Sequence, residues 1–501
     1  MKRVLALLCV IALVFTLCSC RKTKVETSEF SYYEDGASAV DNKTEDDASD
    51  GDASASNKNE SYPKTNSVIS NPLSADLKGA TVTVYDAGGV FTPNASASKT
   101  DAARAKLISK LQKELNCKLD VKSSEIEKLM SLSAASAASG KAVSQIIASP
   151  LYKMGYFIGS NLVADMDKIS SMDLSKSYMN AAGMLEATRF GNGRYGVAAD
   201  GTSGSCVLYN KRILKELGYP DNYIYSLVDS GNWNYTEFRK LAKEATKELD
   251  GKPGMSEADQ WGMVVMDMET GVTADLLVSA NTPMLKFSGG ELVSNMSNAN
   301  IAKVANLLVD TYKNDGTRLA KIAGTNATGK KAHEAFKTGR VFMEYTVTSA
   351  MDNFTTMKDE FGVVPTPKFD DASEYSSSFD WNYKGIMIPA GLSAKDQYNA
   401  GAVVQAYMYL MQDIYNVKKN EYNNRYFCDT ESGENFIKIV NGVTTHPVQC
   451  YAQANEQILT GTYRVFWNYI SKGASVSAAV ESTSSSLKSA LNDLNAKIKD
   501  K

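Results

Sequence analysis

From Thr81 onward the apolar residues alternate between period two and period 3.6 in short stretches, a pattern that commits a chain to helices layered on a mostly parallel sheet. Thr81-Val-Thr-Val-Tyr85 reads as a strand. Asp101 is expected to cap a helix that sets Ala103, Leu107, Leu111 and Leu115 on one face, followed by a short strand at Leu119 to Val121. A helical stretch from Ile126 to Ser139 stops at Gly140, and Val143 to Ala148 supplies a third strand. The opening is therefore βαβαβ, and the fold class is α/β. The alternation continues with strands at Tyr195 to Ala199, Trp261 to Met266, Val341 to Tyr345, Phe361 to Val364 and Ile386 to Ile388. Helices are expected at Lys211 to Leu217, Tyr235 to Leu249, Lys303 to Tyr312, Lys330 to Thr338, Val403 to Asp413 and Ser484 to Lys499. The chain from Asp76 to Lys501 exceeds the ~250–300 residues at which one hydrophobic core stops growing, so two lobes are expected.

The amino terminus has a different character. Lys2 and Arg3 precede an apolar run from Val4 to Phe15, the layout of a secretory signal and too short to span a bilayer. The run closes on Leu17-Cys-Ser-Cys20, which resembles a bacterial lipobox, so residues 1–19 are expected to be removed and Cys20 lipidated. More than one acyl chain there would give stable anchoring on the extracytoplasmic face of the cell membrane. Between Glu26 and Glu60 lie eleven acidic residues and two lysines among Ser, Ala, Asn and Gly, a composition unable to bury enough surface to fold. Residues 20–75 are read as a disordered acidic tether, ~55 residues reaching about 40 Å.

The 54 Lys+Arg against 57 Asp+Glu leave a net charge of -3, which argues against nucleic acid as a partner. Seven cysteines are too few for a disulfide framework, and there is no Cys-x-x-Cys pair; Cys428 and Cys450 could pair or stand as free thiols. Cys117 and Cys206 look like core. With only His333 and His446, neither a metal-ligand set nor imidazole catalysis is expected, and His333 is read as solvated on a polar helix. No cofactor is implied.

Three motifs tempt without persuading. Gly191-x-Gly193-x-x-Gly196 has the dinucleotide spacing, but helix precedes it and strand follows, the reverse of what places phosphate on helix amides. Gly324 to Lys330 has the phosphate-loop spacing, yet Lys331 stands where a hydroxyl would hold magnesium. Ser96-x-x-Lys99, Ser230-Gly-Asn232 and Lys337-Thr-Gly339 follow the order of penicillin-binding proteins and serine β-lactamases, in which a lysine activates the serine. The chain is rich in serine and lysine, and the third triplet falls at a helix end, so catalysis is not expected; acyl transfer at Ser96 is the enzymatic alternative.

Five segments together resemble the family 1 extracellular solute-binding proteins: Tyr195-Gly-Val-Ala-Ala-Asp200-Gly, Val207-Leu-Tyr-Asn210-Lys with Leu214-Lys-Glu-Leu-Gly218-Tyr-Pro220, Gly231-Asn-Trp233-Asn-Tyr-Thr236-Glu-Phe238, Ala335-Phe-Lys-Thr-Gly339-Arg-Val-Phe-Met343, and Phe361-Gly-Val-Val-Pro365-Thr-Pro367-Lys. Gly385-Ile-Met-Ile-Pro-Ala390 resembles the family's returning strand. The resemblance implies a two-lobed periplasmic-binding-protein-like fold of type II with crossover hinge strands. Residues 76–200 and 361–393 would form lobe 1, and 201–360 and 394–501 lobe 2, crossing at 200–206 and near 360. It implies capture of a mono- or oligosaccharide between the lobes and delivery to ABC permease subunits, by a monomer. An adhesion or structural lipoprotein on the same fold is the non-transport alternative.

Sugar sites combine polar side chains with aromatic faces. By the family's layout the candidates for ligand contact are Asp86, Phe91, Tyr152, Asp200, Tyr345, Trp381 and Tyr383, with Trp381 foremost. Trp233 should be structural, and Trp467 is read as helical core.

Overall fold

The computed structural model describes residues 70–199, 203–266, 271–319, 330–378, 383–468 and 472–499; the expected signal peptide, Cys20, most of the tether, Asp200, Trp381 and the loop from Gly324 lie outside the described residues. Ala75 and Leu77, at the boundary expected between tether and folded chain, are both buried.

Two sheets organise the chain. The first contains β1 (Ala80–Asp86), β2 (Cys117–Ser123), β3 (Ile146–Pro150), β4 (Val197–Ala198) and, much later in sequence, β9 (Lys384–Met387), in the order β2-β1-β3-β9-β4. β1 runs parallel to β2, with Ala80 opposite Cys117, and parallel to β3, with Val84 opposite Ile146. β9 returns antiparallel to β3 and β4. β3 is buried along its whole length, as a central strand covered on both faces must be. Helix α1 (Lys99–Glu114) connects β1 to β2 and buries Ile108 and Leu111; α2 (Ile126–Ala138) connects β2 to β3. The cap of α1 is Ser98 rather than Asp101. Ser98 is extended, and its Oγ accepts the Asp101 amide at 2.9 Å, while Asp101 sits inside the first turn, where its charge suits the helix dipole.

The second sheet orders β8 (Phe361–Pro365), β5 (Ser205–Asn210), β7 (Val341–Val347) and β6 (Trp261–Val265) as β8-β5-β7-β6. Every residue of β5, β7 and β8 is buried. One face packs Phe336, Phe354 and Phe436; the other packs Trp233 and Phe238 from the start of helix α4 (Tyr235–Ala245). Trp233 is fully buried and donates from Nε1 to the Pro365 carbonyl at 2.8 Å, so it fastens that helix to β8.

The boundaries differ from the expectation in two places. Phe361–Pro365 pairs with β5, Val363 opposite Leu208, and so belongs to the second sheet; the return to the first sheet falls between Pro365 and Lys384, not near 360. Helix α6 (Ala394–Met411) inserts Val403, Val404 and Tyr407 into the core beneath the first sheet, and the chain leaves that core only at α7 (Ile414–Arg425). A strand apolar on both faces fits either sheet, and only its pairing decides. The carboxy-terminal helices also reach the first sheet's side: α8 (Val476–Lys499) packs Leu494 against Gly159 of helix α3 (Leu151–Gly159), and its Asn495 exchanges hydrogen bonds with the backbone of Leu292 at 2.9 and 3.0 Å.

Other expectations change with burial. His333, on α5 (Lys330–Lys337), is buried against Glu344 of β7 rather than solvated. Cys117, Cys206, Cys428 and Cys450 are free thiols, so Cys428 and Cys450 form no bridge. Gly191 and Gly193 lie in a two-stranded hairpin, Phe190 opposite Gly193, with no helix after them. Ser96 is exposed, and Lys337 pairs with Glu334 at 3.0 Å. Among the described residues no helix is long and apolar enough to cross a membrane.

Candidate functional site

The carboxyl ends of β1 and β4 and the start of antiparallel β9 share one end of the first sheet; the end of β7 and the start of antiparallel β5 share one end of the second. Residues from these ends line a single cleft: Gly88 to Val90 after β1, Ala199 after β4, Tyr383 and Lys384 at β9, Ser203 before β5 and Ser349 after β7. Helices close its sides with Arg104 on α1, Tyr407 on α6 and Lys418 on α7. The cleft holds about 550 Å³ of empty space, part of it open to solvent. Loops at strand carboxyl ends are where open α/β sheets bind ligands.

The β1 loop owes its shape to Asp86. This aspartate is buried, and its carboxylate accepts the amides of Gly88 at 3.0 Å, Val90 at 3.1 Å and Phe91 at 2.8 Å. Its oxygens are turned into their own loop, so it shapes the cleft wall and is not among the lining residues. Phe91 points into the core, 4.8 Å from the Tyr407 ring, for the same reason. The turn needs small residues: Gly89 has φ +71°, and a Cβ on Gly88 would stand 2.6 Å from Cδ of Lys384, whose stem crosses it.

Of the remaining candidates, Tyr383 lines the cleft, held by the Leu151 amide, which donates to its carbonyl at 2.6 Å. Tyr152 sits on α3 beneath Lys153, whose Nζ is 5.5 Å from the ring centre, away from the described lining; burial, then the charge of Glu127, raises its pKa. Tyr345 is buried in β7 with a hydroxyl that has no hydrogen-bond partner among the described residues, also outside the lining. Asp200 and Trp381 are outside the described residues, although Ala199, next to Asp200, and Tyr383, two residues past Trp381, both line the cleft.

Sequence reasoning missed Arg104, Ser203, Ser349, Lys384, Tyr407 and Lys418. The Gly88-Gly89 doublet directly after a strand was a usable signal for its loop. Lys418 and Tyr407 had none, because helical periodicity marks a face and not what that face meets. Glu421, one turn beyond Lys418, anchors α7 to the cleft wall: its carboxylate accepts the amides of Lys99 at 2.9 Å and Thr100 at 3.0 Å at the start of α1, the helix that carries Arg104.

No curated protein sequence matches the chain. Among solved structures it is similar to the maltose/maltodextrin-binding domain MalE of Bdellovibrio bacteriovorus bound to maltotriose, at 16% identity and TM-score 0.53, covering 82% of this chain and 100% of that one. It is similar to the cyclic α-maltosyl-1,6-maltose-binding protein of Arthrobacter globiformis at 12% identity and TM-score 0.56, covering 84% and 100%. An ABC substrate-binding protein of Listeria monocytogenes in complex with cycloalternan is similar at 12% identity and TM-score 0.53, covering 83% and 100%. At such identities the likeness speaks for the shared two-lobed fold. Residues 106–411, more than half of the sequence, match the bacterial extracellular solute-binding protein family, and the chain belongs to that family.

Proposed function

We propose that this solute-binding protein captures a saccharide in the cleft between its two sheets and delivers it to ABC permease subunits, anchored to the outer face of the cell membrane through lipidated Cys20. What carries the reading is the cleft itself, where strand ends from both sheets meet around two tyrosines, Tyr383 and Tyr407, and two serines, Ser203 and Ser349. Aromatic rings cover the apolar face of a pyranose, and hydroxyl groups hydrogen-bond its edge. The saccharides bound by the similar structures belong to the same ligand class.

In this reading residues 1–19 are the signal peptide and the acidic segment is the tether. The lobes close about the strands that join the two sheets, and the ligand favours the closed form by binding it better. Trp381, two residues before Tyr383, and Asp200, next to Ala199, contribute a stacking face and a hydroxyl partner. The protein works as a monomer without cofactor or catalysis.

The experiment is a thermal-shift screen of the full-length protein against mono- and oligosaccharides. At about 100 times its dissociation constant a ligand should stabilise the protein by ~2.7 kcal/mol, a rise of a few degrees. Trp381→Ala should abolish that rise. A flat response to every saccharide would sink the proposal.

A further inference from the structure

The antiparallel ladder between β5 and β7 sets Ser205 opposite Val347. Continuing that register brings Gly204 to Thr348 and Ser203 to Ser349, and both serines line the cleft. In such a ladder every second pair of residues exchanges two backbone hydrogen bonds. Gly204 and Thr348 form a pair of this kind, since the Thr348 amide donates to the Gly204 carbonyl at 2.9 Å. The return bond is different. It runs from the Gly204 amide to Oγ1 of Thr348 at 3.2 Å, so a side-chain hydroxyl takes the place of a carbonyl. The backbone leaves the extended conformation at this point, because Thr348 opens a 3₁₀ helix that runs to Phe354.

The rung is enclosed on its other side. A Cβ on Gly204 would stand 2.5 Å from Cγ2 of Val443 and 3.0 Å from Oγ of Ser377, so position 204 has no room for a side chain. Ser205 donates its amide to the Ser378 carbonyl at 3.3 Å, and the Ser378 amide donates to the buried Asp275 carboxylate. With Gly204 and Ser205 fixed in this way, the Thr348 hydroxyl decides how Ser349 stands against Ser203. Thr348 is fully buried and outside the described lining, so it acts through the two serines.

We propose that Thr348 is a positioning residue for ligand capture: its hydroxyl closes the last rung of the ladder and holds Ser203 and Ser349 as a pair that reads neighbouring hydroxyl groups of a saccharide. The inference rests on the reading of the cleft as a saccharide site and deepens it, naming two side chains that act together and the residue that couples them.

The test is calorimetric titration of the full-length protein with maltotriose, cellotriose and β-1,4-linked mannotriose. Titrations are run well below the melting temperature of the least stable variant, so that a loss of stability alone leaves the measured affinity unchanged. Thr348→Val keeps the branched shape and removes the acceptor; it should weaken the tightest of the three sugars by ~10-fold or more, the order expected for one or two lost hydrogen bonds. Thr348→Ser keeps the acceptor and should restore binding to within ~2-fold, less than the loss of one hydrogen bond. Ser203→Ala and Ser349→Ala, alone and together, give a second reading that leaves position 348 intact. Because the serines work as a pair, the double variant should fall short of the product of the single losses by ~3-fold or more. Wild-type affinity in Thr348→Val, no rescue by Thr348→Ser, or serine losses that simply multiply would overturn the positioning role and leave the saccharide reading standing. Binding of none of the sugars by the wild type would remove both.

Discussion

Glu421 accepts the backbone amide of Thr100 at 3.0 Å and its hydroxyl at 2.6 Å, so a residue on α7 caps the helix that begins at Lys99. Arg425, one turn further along α7, pairs with Asp352 beyond the second sheet at 2.8 Å. One helix therefore holds both sides of the cleft in register. Glu421→Ala strips the acceptor from two buried or half-buried amides and a buried hydroxyl, and should cost about 1–3 kcal/mol. Denaturant unfolding measures it, and a loss below ~0.5 kcal/mol would mean that water replaces the cap. Ligand affinity should fall as well, because Arg104 rides on the same helix.

Two glycine substitutions should have opposite signatures. In Gly88→Ala the new Cβ meets only the flexible stem of Lys384, so stability should change by less than about 1 kcal/mol while ligand affinity drops. In Gly262→Ala the Cβ would stand 2.1 Å from the backbone oxygen of Ala242, which cannot move without shifting α4 off β6. That variant should lose about 3 kcal/mol or more, as overpacking against rigid backbone does. Melting curves with titration of the same samples distinguish the two.

Glu344 makes stability depend on pH. Burial raises its pKa above the ordinary 4.5, and the hydrogen bond and charge of His333 offset part of the rise. The folded state thus holds this proton more tightly than the unfolded one. Stability from this group is full below about pH 4.5 and falls as the pH rises toward the folded value. Glu344→Gln should remove that slope, so the variant gains on the wild type as pH increases from 4.5. Parallel slopes for the two proteins from pH 4 to 7 would show that Glu344 stays ionised in the fold.

Lipid attachment is checked at one atom. Cys20→Ser should abolish incorporation of labelled palmitate and release the protein from the membrane fraction, with the ligand-induced thermal shift unchanged. Continued membrane association of this variant would place the anchor elsewhere.

The βαβαβ opening was legible because local rules set it. Val82 and Val84 are buried together on the strand, and Leu111 and Leu115 on the helix face, as their spacing set them. The family likeness was legible in the same way, since it is carried by contiguous segments such as Tyr195 to Asp200. The loop role of Asp86 was not, because an aspartate after a strand looks the same whether its oxygens face a ligand or the amides of Gly88, Val90 and Phe91. His333 misled for a related reason: its neighbours on α5 are polar, but its partner Glu344 lies on another element.

By itself the sequence determined the α/β class and the existence of more than one core, both of which follow from short-range periodicity and length. Tertiary structure alone decided which sheet takes Phe361–Pro365, that α7 caps α1, and that Arg104, Lys384 and Lys418 share a cleft. Pairing between distant segments is chosen by the global balance of burial and hydrogen bonding, and no local pattern records that choice.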